Sequence, residues 1–149
     1  MLVYRITQTK YAGKLIASGR AARWNPNDIW MIYTACSRSL ACLENAVRRS
    51  QAGLSALFSI MTIEVPDHIK IKTIPLNDLP VDWTDYNLMY VTQRIGGTWI
   101  NEHETAILKI PSSVIEEEVN YLLNPDHRDF EQIKVIKIQP FVFDKRLKE

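Results

Sequence analysis

The sequence predicts a mixed α+β domain in which short strands are interspersed with two or three helices. Three observations indicate this class: alternating segments typical of half-exposed strands, two stretches with apolar residues at helical spacing, and the lack of any repeat or low-complexity segment. The 149 residues are enough for one independent core, so we expect a single domain over residues 1–149.

The first half of the chain is expected to contain three strands and one helix. Alternation predicts a strand over Leu2–Thr7, and a run of large apolar residues predicts a buried strand over Ile29–Thr34. Ser37 is then the expected N-cap of a helix. A further apolar, β-rich strand is predicted over Leu57–Val65. Three residues form the expected inward stripe of the helix: Leu40, Leu43 and Val47.

The second half is expected to contain one clear helix and further strands. Apolar spacing predicts a helix over Asp85–Ile95, ended by Gly96-Gly97. Ser113 precedes three glutamates and is the expected cap of the next segment, Val114–Leu123. The remaining strands are expected at Ile69–Ile74, Thr105–Ile110 and Ile133–Ile138.

Charge and cysteine usage argue against several classes of function. A formal net charge of +1 gives no basis for broad capture of nucleic acid or membrane. Cys36 and Cys42 are interpreted as free thiols in a reducing compartment. The histidines lack ligand-like spacing, so we expect no metal site. Because no leader pattern and no apolar segment of membrane-spanning length is seen, we expect a cytoplasmic protein.

Two candidate binding residues lie near the first helix. Glu44 lies at the edge of the apolar stripe, where it either pairs with Arg48 on the surface or acts at the rim of a pocket. Arg23 offers a planar fork that suits a pyrophosphate. The alternative for Arg23 is a surface position stacked on Trp24.

Other candidates come from the predicted strands and the segments that follow them. Arg5 lies inside an apolar strand and requires a partner, either a structural carboxylate or a ligand phosphate. Tyr33 either stacks on a ring or belongs to the core. Ser112 lacks the surroundings of a catalytic serine, and Asn120 has an alternative purely structural role. The glycines match neither dinucleotide-binding nor P-loop spacing.

A set of motifs is spread in order along nearly the whole chain: Tyr4–Arg5, Ala21–Pro26, Ile32–Ser37, Leu40–Glu44, Leu79–Trp83, Gln93–Trp99, Ile110–Val114, Asn120–His127 and Pro140–Leu147. Taken together, these segments resemble the RES-domain family of bacterial toxins. The family usually has two glycines where this chain has Ala21-Ala22, and two Cβ atoms would impair binding if that backbone needs positive φ or close approach to a ligand.

The resemblance implies a core like that of ADP-ribosyltransferases, with two small mixed or antiparallel sheets flanked by helices and a cleft that takes NAD as substrate. It implies cleavage of the nicotinamide–ribose bond without a metal. It also implies a hetero-oligomer with an Xre-type helix-turn-helix antitoxin. Catalysis is assigned by the resemblance to Glu44, Arg23 and Tyr33. Binding of NAD is assigned to Arg5, Trp24, Ser112 and Asn120.

Three functions are compatible with this sequence. The first is a type II toxin that degrades NAD by hydrolysis or phosphorolysis and so inhibits bacterial growth. The second is a toxin that transfers ADP-ribose to a protein. The third, motivated by Ala21-Ala22, is an inactive module that only binds its antitoxin. Near-neutral charge and the lack of a recognition motif argue against direct binding of nucleic acid.

Overall fold

The computed structural model describes residues 1–148, which form one mixed sheet of seven strands and two α-helices. The predicted α+β class is confirmed, and Glu149 of the predicted domain lies outside the described residues. The helices are α1 (Arg38–Ala46) and α2 (Met89–Glu102). The strands are β1 (Leu2–Gln8), β2 (Ile32–Ala35), β3 (Phe58–Glu64), β4 (Ile71–Thr73), β5 (Ile107–Pro111), β6 (Val119–Leu123) and β7 (Lys134–Phe141).

The sheet divides near its centre, between β1 and β2. The strand order is β4-β5-β6-β2-β1-β3-β7, with β4 and β5 parallel and the other neighbours antiparallel. Among the described residues, Tyr4–Ala35 is the single register pair that joins β1 to β2, whereas β1 pairs with β3 along its whole length. The resemblance implied two small sheets, whereas the structure has one seven-stranded sheet whose two halves are joined through this single register pair.

Both faces of the sheet are largely buried at β5 and β6. Ile107 and Leu123 belong to one core cluster, while their chain neighbours Leu108 and Leu122 belong to another that contains Trp99 of α2. This follows because successive residues of a strand point to opposite faces. A third cluster lies under α1. In the part of the chain that the structure describes, neither helix is long and apolar enough to cross a membrane.

The start of α1 follows its sequence signal closely. The Ser37 side chain accepts a hydrogen bond from the Leu40 N–H at 3.0 Å, which confirms the predicted N-cap. Leu40 is buried and Leu43 half-buried, as expected for an inward stripe. Val47 was wrongly assigned to that stripe, because it lies beyond the last turn of the helix and is 49% exposed.

The prediction that Gly96-Gly97 ends the second helix was wrong. α2 continues to Glu102, and His103 ends it in the left-handed conformation at φ 51°. A Cβ added at Gly96 would overlap the carbonyl oxygen of Trp24 and lie 2.9 Å from its carbonyl carbon. The glycine therefore serves close packing of α2 against a distant segment of the chain, and a helical residue without a side chain is what this approach requires.

Other boundaries and one cap also differ from the prediction. α2 begins at Met89, because Tyr86–Leu88 form a separate 3-10 turn where the helix was expected to start at Asp85. The strand predicted over Ile29–Thr34 begins only at Ile32, because the residues before it belong to an irregular segment. The strand predicted over Ile69–Ile74 shortens to β4. Ser113 does not cap Val114–Leu123: the Ser112 hydroxyl accepts the N–H groups of the next turn instead, and the segment then forms β6.

Candidate active site

A cavity of about 430 Å³ lies where β1 and β2 separate. It is lined by β1, β2, α1, β6 and the irregular segment over residues 18–25. Its volume falls within the range of small-molecule sites, roughly 300–1,000 Å³. The incomplete pairing of β1 with β2 therefore creates space for a ligand at the centre of the sheet.

The charged lining of this cavity is strongly asymmetric. In the described part of the chain, four arginines face one carboxylate, a formal excess of three positive charges, although the whole chain carries only +1. Such a concentration of one sign attracts ligands of the opposite sign. The cavity is therefore suited to an anion with more than one negative charge. The charged residues are Arg5, Arg20, Arg48, Arg49 and Glu44.

Two neutral side chains hold the Glu44 carboxylate in place by hydrogen bonds. Its Oε1 accepts hydrogen bonds from the Ser112 hydroxyl at 2.8 Å and from the Asn120 amide nitrogen at 2.6 Å. The side chain is only 12% exposed, and its Oε2 lies 3.7 Å from the Arg48 guanidinium. Ser112 is itself fully buried and accepts backbone N–H groups from Val114 and Ile115. The carboxylate is therefore fixed through Oε1, while Oε2 faces the Arg48 guanidinium beyond hydrogen-bond distance.

Arg5 is a half-buried cation in the cavity lining. Across residues 1–148, the structure contains neither a hydrogen bond nor an ion pair to its guanidinium. Burial lowers the pKa of Arg5, yet arginine stays protonated in proteins. A partly desolvated charge is costly without a partner. This arrangement leaves the Arg5 guanidinium available to an anionic ligand in the cavity.

Tyr33 ties the irregular wall of the cavity to the sheet. Its hydroxyl donates to Asn25 Oδ1 at 2.6 Å and accepts the backbone N–H of Trp24 at 3.0 Å. The amide of Asn25 in turn donates to the carbonyl oxygens of Arg20 and Ile29. Burial is the main cause that raises the pKa of Tyr33 to about 12, so the phenol is neutral at physiological pH.

We expect Tyr33 to give the protein a distinct pH dependence of stability. The folded protein holds the phenolic proton more tightly than the unfolded chain, so this contribution is complete below pH 10 and is lost as the pH rises towards 12. In that window the unfolding free energy of the wild type should fall more steeply than that of Tyr33→Phe, by up to about 1.4 kcal/mol per pH unit. Urea denaturation of both proteins across the window measures this difference, and parallel curves would contradict it.

Arg23 and Trp24 lie beside the cavity instead of lining it. The Arg23 guanidinium donates to the carbonyl oxygens of Trp83 at 3.2 Å and Thr84 at 3.0 Å. Burial, followed by the nearby Arg48, lowers the pKa of Arg23. Trp24 is 2% exposed and packs on Trp83 with ring centroids 5.9 Å apart. Their predicted contacts with a ligand therefore require either a rearrangement or an indirect role.

Four of the predicted site residues therefore line the cavity: Arg5, Tyr33, Glu44 and Asn120. Ser112 does not line it but donates a hydrogen bond to Glu44. Sequence reasoning missed the contribution of three further arginines. Arg48 had been considered only as a surface partner of Glu44, although the spacing of four residues already indicated their proximity. Arg20 and Arg49 carry no comparable signal in the sequence.

Ala21 and Ala22 are compatible with the backbone of the cavity wall. Among the described residues other than glycine, positive φ occurs at Asp28 and His103 and at neither alanine. The N–H of Ala22 donates to the carbonyl oxygen of Asn25 at 2.9 Å. The two glycines usual in the family are therefore not needed here for a left-handed backbone. What the alanines add is two methyl groups in the cavity lining.

Comparison with known proteins matches the RES domain family to residues 2–144. The chain is 34% identical over 146 residues to the "Prs ADP-ribosylating toxin" of Sphingobium sp. (strain YBL2), covering 97% of this chain and 89% of that protein. It is 33% identical over 154 residues to "Toxin Res" of Yersinia enterocolitica, covering 99% of this chain and 100% of that protein. A chain from the M. tuberculosis MbcT-MbcA toxin-antitoxin complex has the same fold, with a TM-score of 0.75 at 20% identity over 95% of this chain and 84% of that one.

Proposed function

The chain belongs to the RES domain family, and from that premise we propose that it is a toxin that cleaves the nicotinamide–ribose bond of NAD. The observation that carries the proposal is Arg5, a half-buried cation without a partner among residues 1–148, in a cavity that also holds one fixed carboxylate. NAD matches both features. Its pyrophosphate suits the arginines, and the ribose next to the nicotinamide suits Glu44.

The bond to be broken joins the anomeric carbon of the ribose to the ring nitrogen of nicotinamide. Its electron pair moves to that nitrogen, so nicotinamide leaves as a neutral ring and positive charge develops on the ribose. Glu44 Oε2 is the group that accepts a ribose hydroxyl or faces this charge. Because Ser112 and Asn120 already hold Oε1, the carboxylate needs no reorganisation when the charge develops.

Two fates of the ADP-ribose unit are distinguished by the acceptor. Water or phosphate as acceptor gives degradation of NAD, whereas a protein side chain gives ADP-ribosylation. The relative named "Prs ADP-ribosylating toxin" favours the second fate. Purified protein should be incubated with NAD labelled in its adenine half, with and without phosphate and bacterial lysate. Label on a polypeptide indicates transfer, label on small molecules alone indicates degradation, and unchanged NAD would contradict both.

We further propose an Xre-type helix-turn-helix antitoxin as partner, in a hetero-oligomer within the cytoplasm. Relatives named as toxins, and a structural neighbour from a toxin–antitoxin complex, support an antitoxin partner, and its helix-turn-helix type follows from the family resemblance alone. Expression of the chain alone in a bacterial host should arrest growth, and co-expression of the antitoxin should restore it. Harmless expression of well-folded protein would instead support an inactive module that only binds its antitoxin.

Replacing Arg5 by methionine should stabilise the protein and weaken its binding of NAD. We expect the free energy of unfolding to rise by about 1 kcal/mol, because an uncompensated, partly buried charge is removed. The KM for NAD should rise about tenfold or more, because charge-assisted bonds to the pyrophosphate are lost. Arg128→Met is the matched control, since Arg128 is 89% exposed and does not line the cavity. An unchanged KM for NAD in Arg5→Met would contradict the assigned role.

A further inference from the structure

Arg48 follows the end of α1 and touches both groups that the proposed reaction reserves for the cationic part of NAD. Its Nη2 lies 3.7 Å from Glu44 Oε2, the oxygen left free by Ser112 and Asn120. Its guanidinium carbon also lies 5.5 Å from the centre of the Tyr33 ring. In the free protein, therefore, one guanidinium covers the carboxylate and the aromatic ring at once.

Bound NAD would compete with Arg48 for this position. The nicotinamide ring carries a positive charge before cleavage, and the ribose carries it during cleavage. Both positively charged groups are attracted to the carboxylate of Glu44 or to the face of the Tyr33 ring, for the same electrostatic reasons that hold Arg48 there. Two positive groups at one carboxylate repel each other, so Arg48 has to leave before the substrate is bound productively.

The contacts of Arg48 are weak enough to be exchanged. The ion pair exceeds hydrogen-bond length and the side chain is 51% exposed. Ion pairs beyond hydrogen-bond distance and cation–π contacts of a half-exposed guanidinium are weak interactions. The neighbouring Arg49 is held more firmly, since it donates to Asn45 at 3.1 Å and lies over Phe58. Arg48 is thus a cation that can move at low cost.

We propose that in the free protein the Arg48 guanidinium occupies the position beside Glu44 and Tyr33 that the cationic part of NAD takes. When NAD binds, Arg48 moves to the pyrophosphate and so frees Glu44 and Tyr33. This inference rests on the proposed function. The pyrophosphate is joined to the same ribose that enters the position, so a long side chain at the cavity mouth can exchange one partner for the other. Arg5 then serves as the fixed phosphate ligand and Arg48 as the mobile one, which makes Arg48 a positioning residue.

The experiment compares wild type, Arg48→Met, Arg48→Lys and the control Arg128→Met. ADP-ribose, which lacks nicotinamide and does not react, is titrated calorimetrically, and NAD cleavage is followed at several substrate concentrations. We expect Arg48→Met to weaken ADP-ribose binding and raise the KM for NAD by about tenfold, with kcat within about threefold of wild type. Arg48→Lys should recover most of the binding, and Arg128→Met should match the wild type.

The outcomes separate this inference from the proposed function. If the wild type binds ADP-ribose and Arg48→Met binds it equally or more tightly, Arg48 merely obstructs the site and the inference is wrong, while the proposed function stands. If kcat falls with KM unchanged, Arg48 acts on the reaction step and the exchange is also refuted. If the wild type neither binds ADP-ribose nor cleaves NAD, both fail together.

Discussion

Replacing Glu44 by glutamine should lower the rate of nicotinamide release from NAD by at least about 100-fold at saturating substrate, the scale of losing one preorganised charge-stabilising group. The amide keeps the shape of the side chain, and its oxygen still accepts from Ser112 and Asn120 at the position of Oε1. What disappears is the negative charge that faces the developing positive charge on the ribose. The loss should therefore appear in kcat more than in KM.

The measurement follows the initial rate of nicotinamide formation by chromatography. Glu117→Gln is the matched control, because Glu117 is an exposed glutamate away from the cavity lining, and it should retain the wild-type rate. Thermal unfolding of both variants checks that the fold is intact. Equal rates for wild type and Glu44→Gln would remove Glu44 from the reaction, whatever the fate of the other residues.

Replacing Gly96 by alanine should lower the free energy of unfolding by about 3 kcal/mol, at the upper end of the usual cost of overpacking. The new Cβ would overlap the backbone carbonyl of Trp24, which cannot rotate away as a side-chain tip can. Because the N–H of Trp24 binds the Tyr33 hydroxyl, displacement of this backbone also disturbs the cavity wall. We therefore expect reduced NAD cleavage together with reduced stability.

Gly97→Ala is a sharp control for this prediction. A Cβ at Gly97 would meet only the Cδ of Pro26 at 3.8 Å, an ordinary contact. The free energy of unfolding of this variant should rise by about 0.5–1 kcal/mol, because alanine has a higher helix propensity than glycine. Urea denaturation of the two variants measures the difference. Similar stabilities for Gly96→Ala and Gly97→Ala would show that the Trp24 carbonyl does not pack directly against Gly96.

The sequence predicted best those elements whose cause is local. Alternation of side chains identified β1, and the Ser37 cap identified the start of α1, because both depend on residues within one turn or strand. Gly96-Gly97 misled the prediction, because a glycine pair looks the same whether it ends a helix or admits a distant backbone. The partner of Gly96 is Trp24, and only the fold brings the two together.

In the candidate site, too, the sequence predicts contacts between nearby residues better than contacts between distant ones. Glu44 and Arg48 are four residues apart, so their contact could be expected, but the spacing alone suggested a solvent-exposed pair. The placement of the Glu44 carboxylate depends on Ser112, which follows β5, and on Asn120 in β6, both far along the chain. Trp24 was assigned to the ligand by resemblance, whereas in the fold its ring belongs to the core. A shared motif identifies the participants without separating lining residues from supporting ones.

Calorimetric titration of Glu44→Gln with NAD tests most directly whether this cavity is a dinucleotide site, because binding is then observed without turnover. We expect one NAD to bind per chain, and we expect the affinity to fall about tenfold or more when Arg5→Met is added to the same variant. A folded Glu44→Gln protein that gives no binding heat and no shift in melting temperature with NAD would contradict the proposed function.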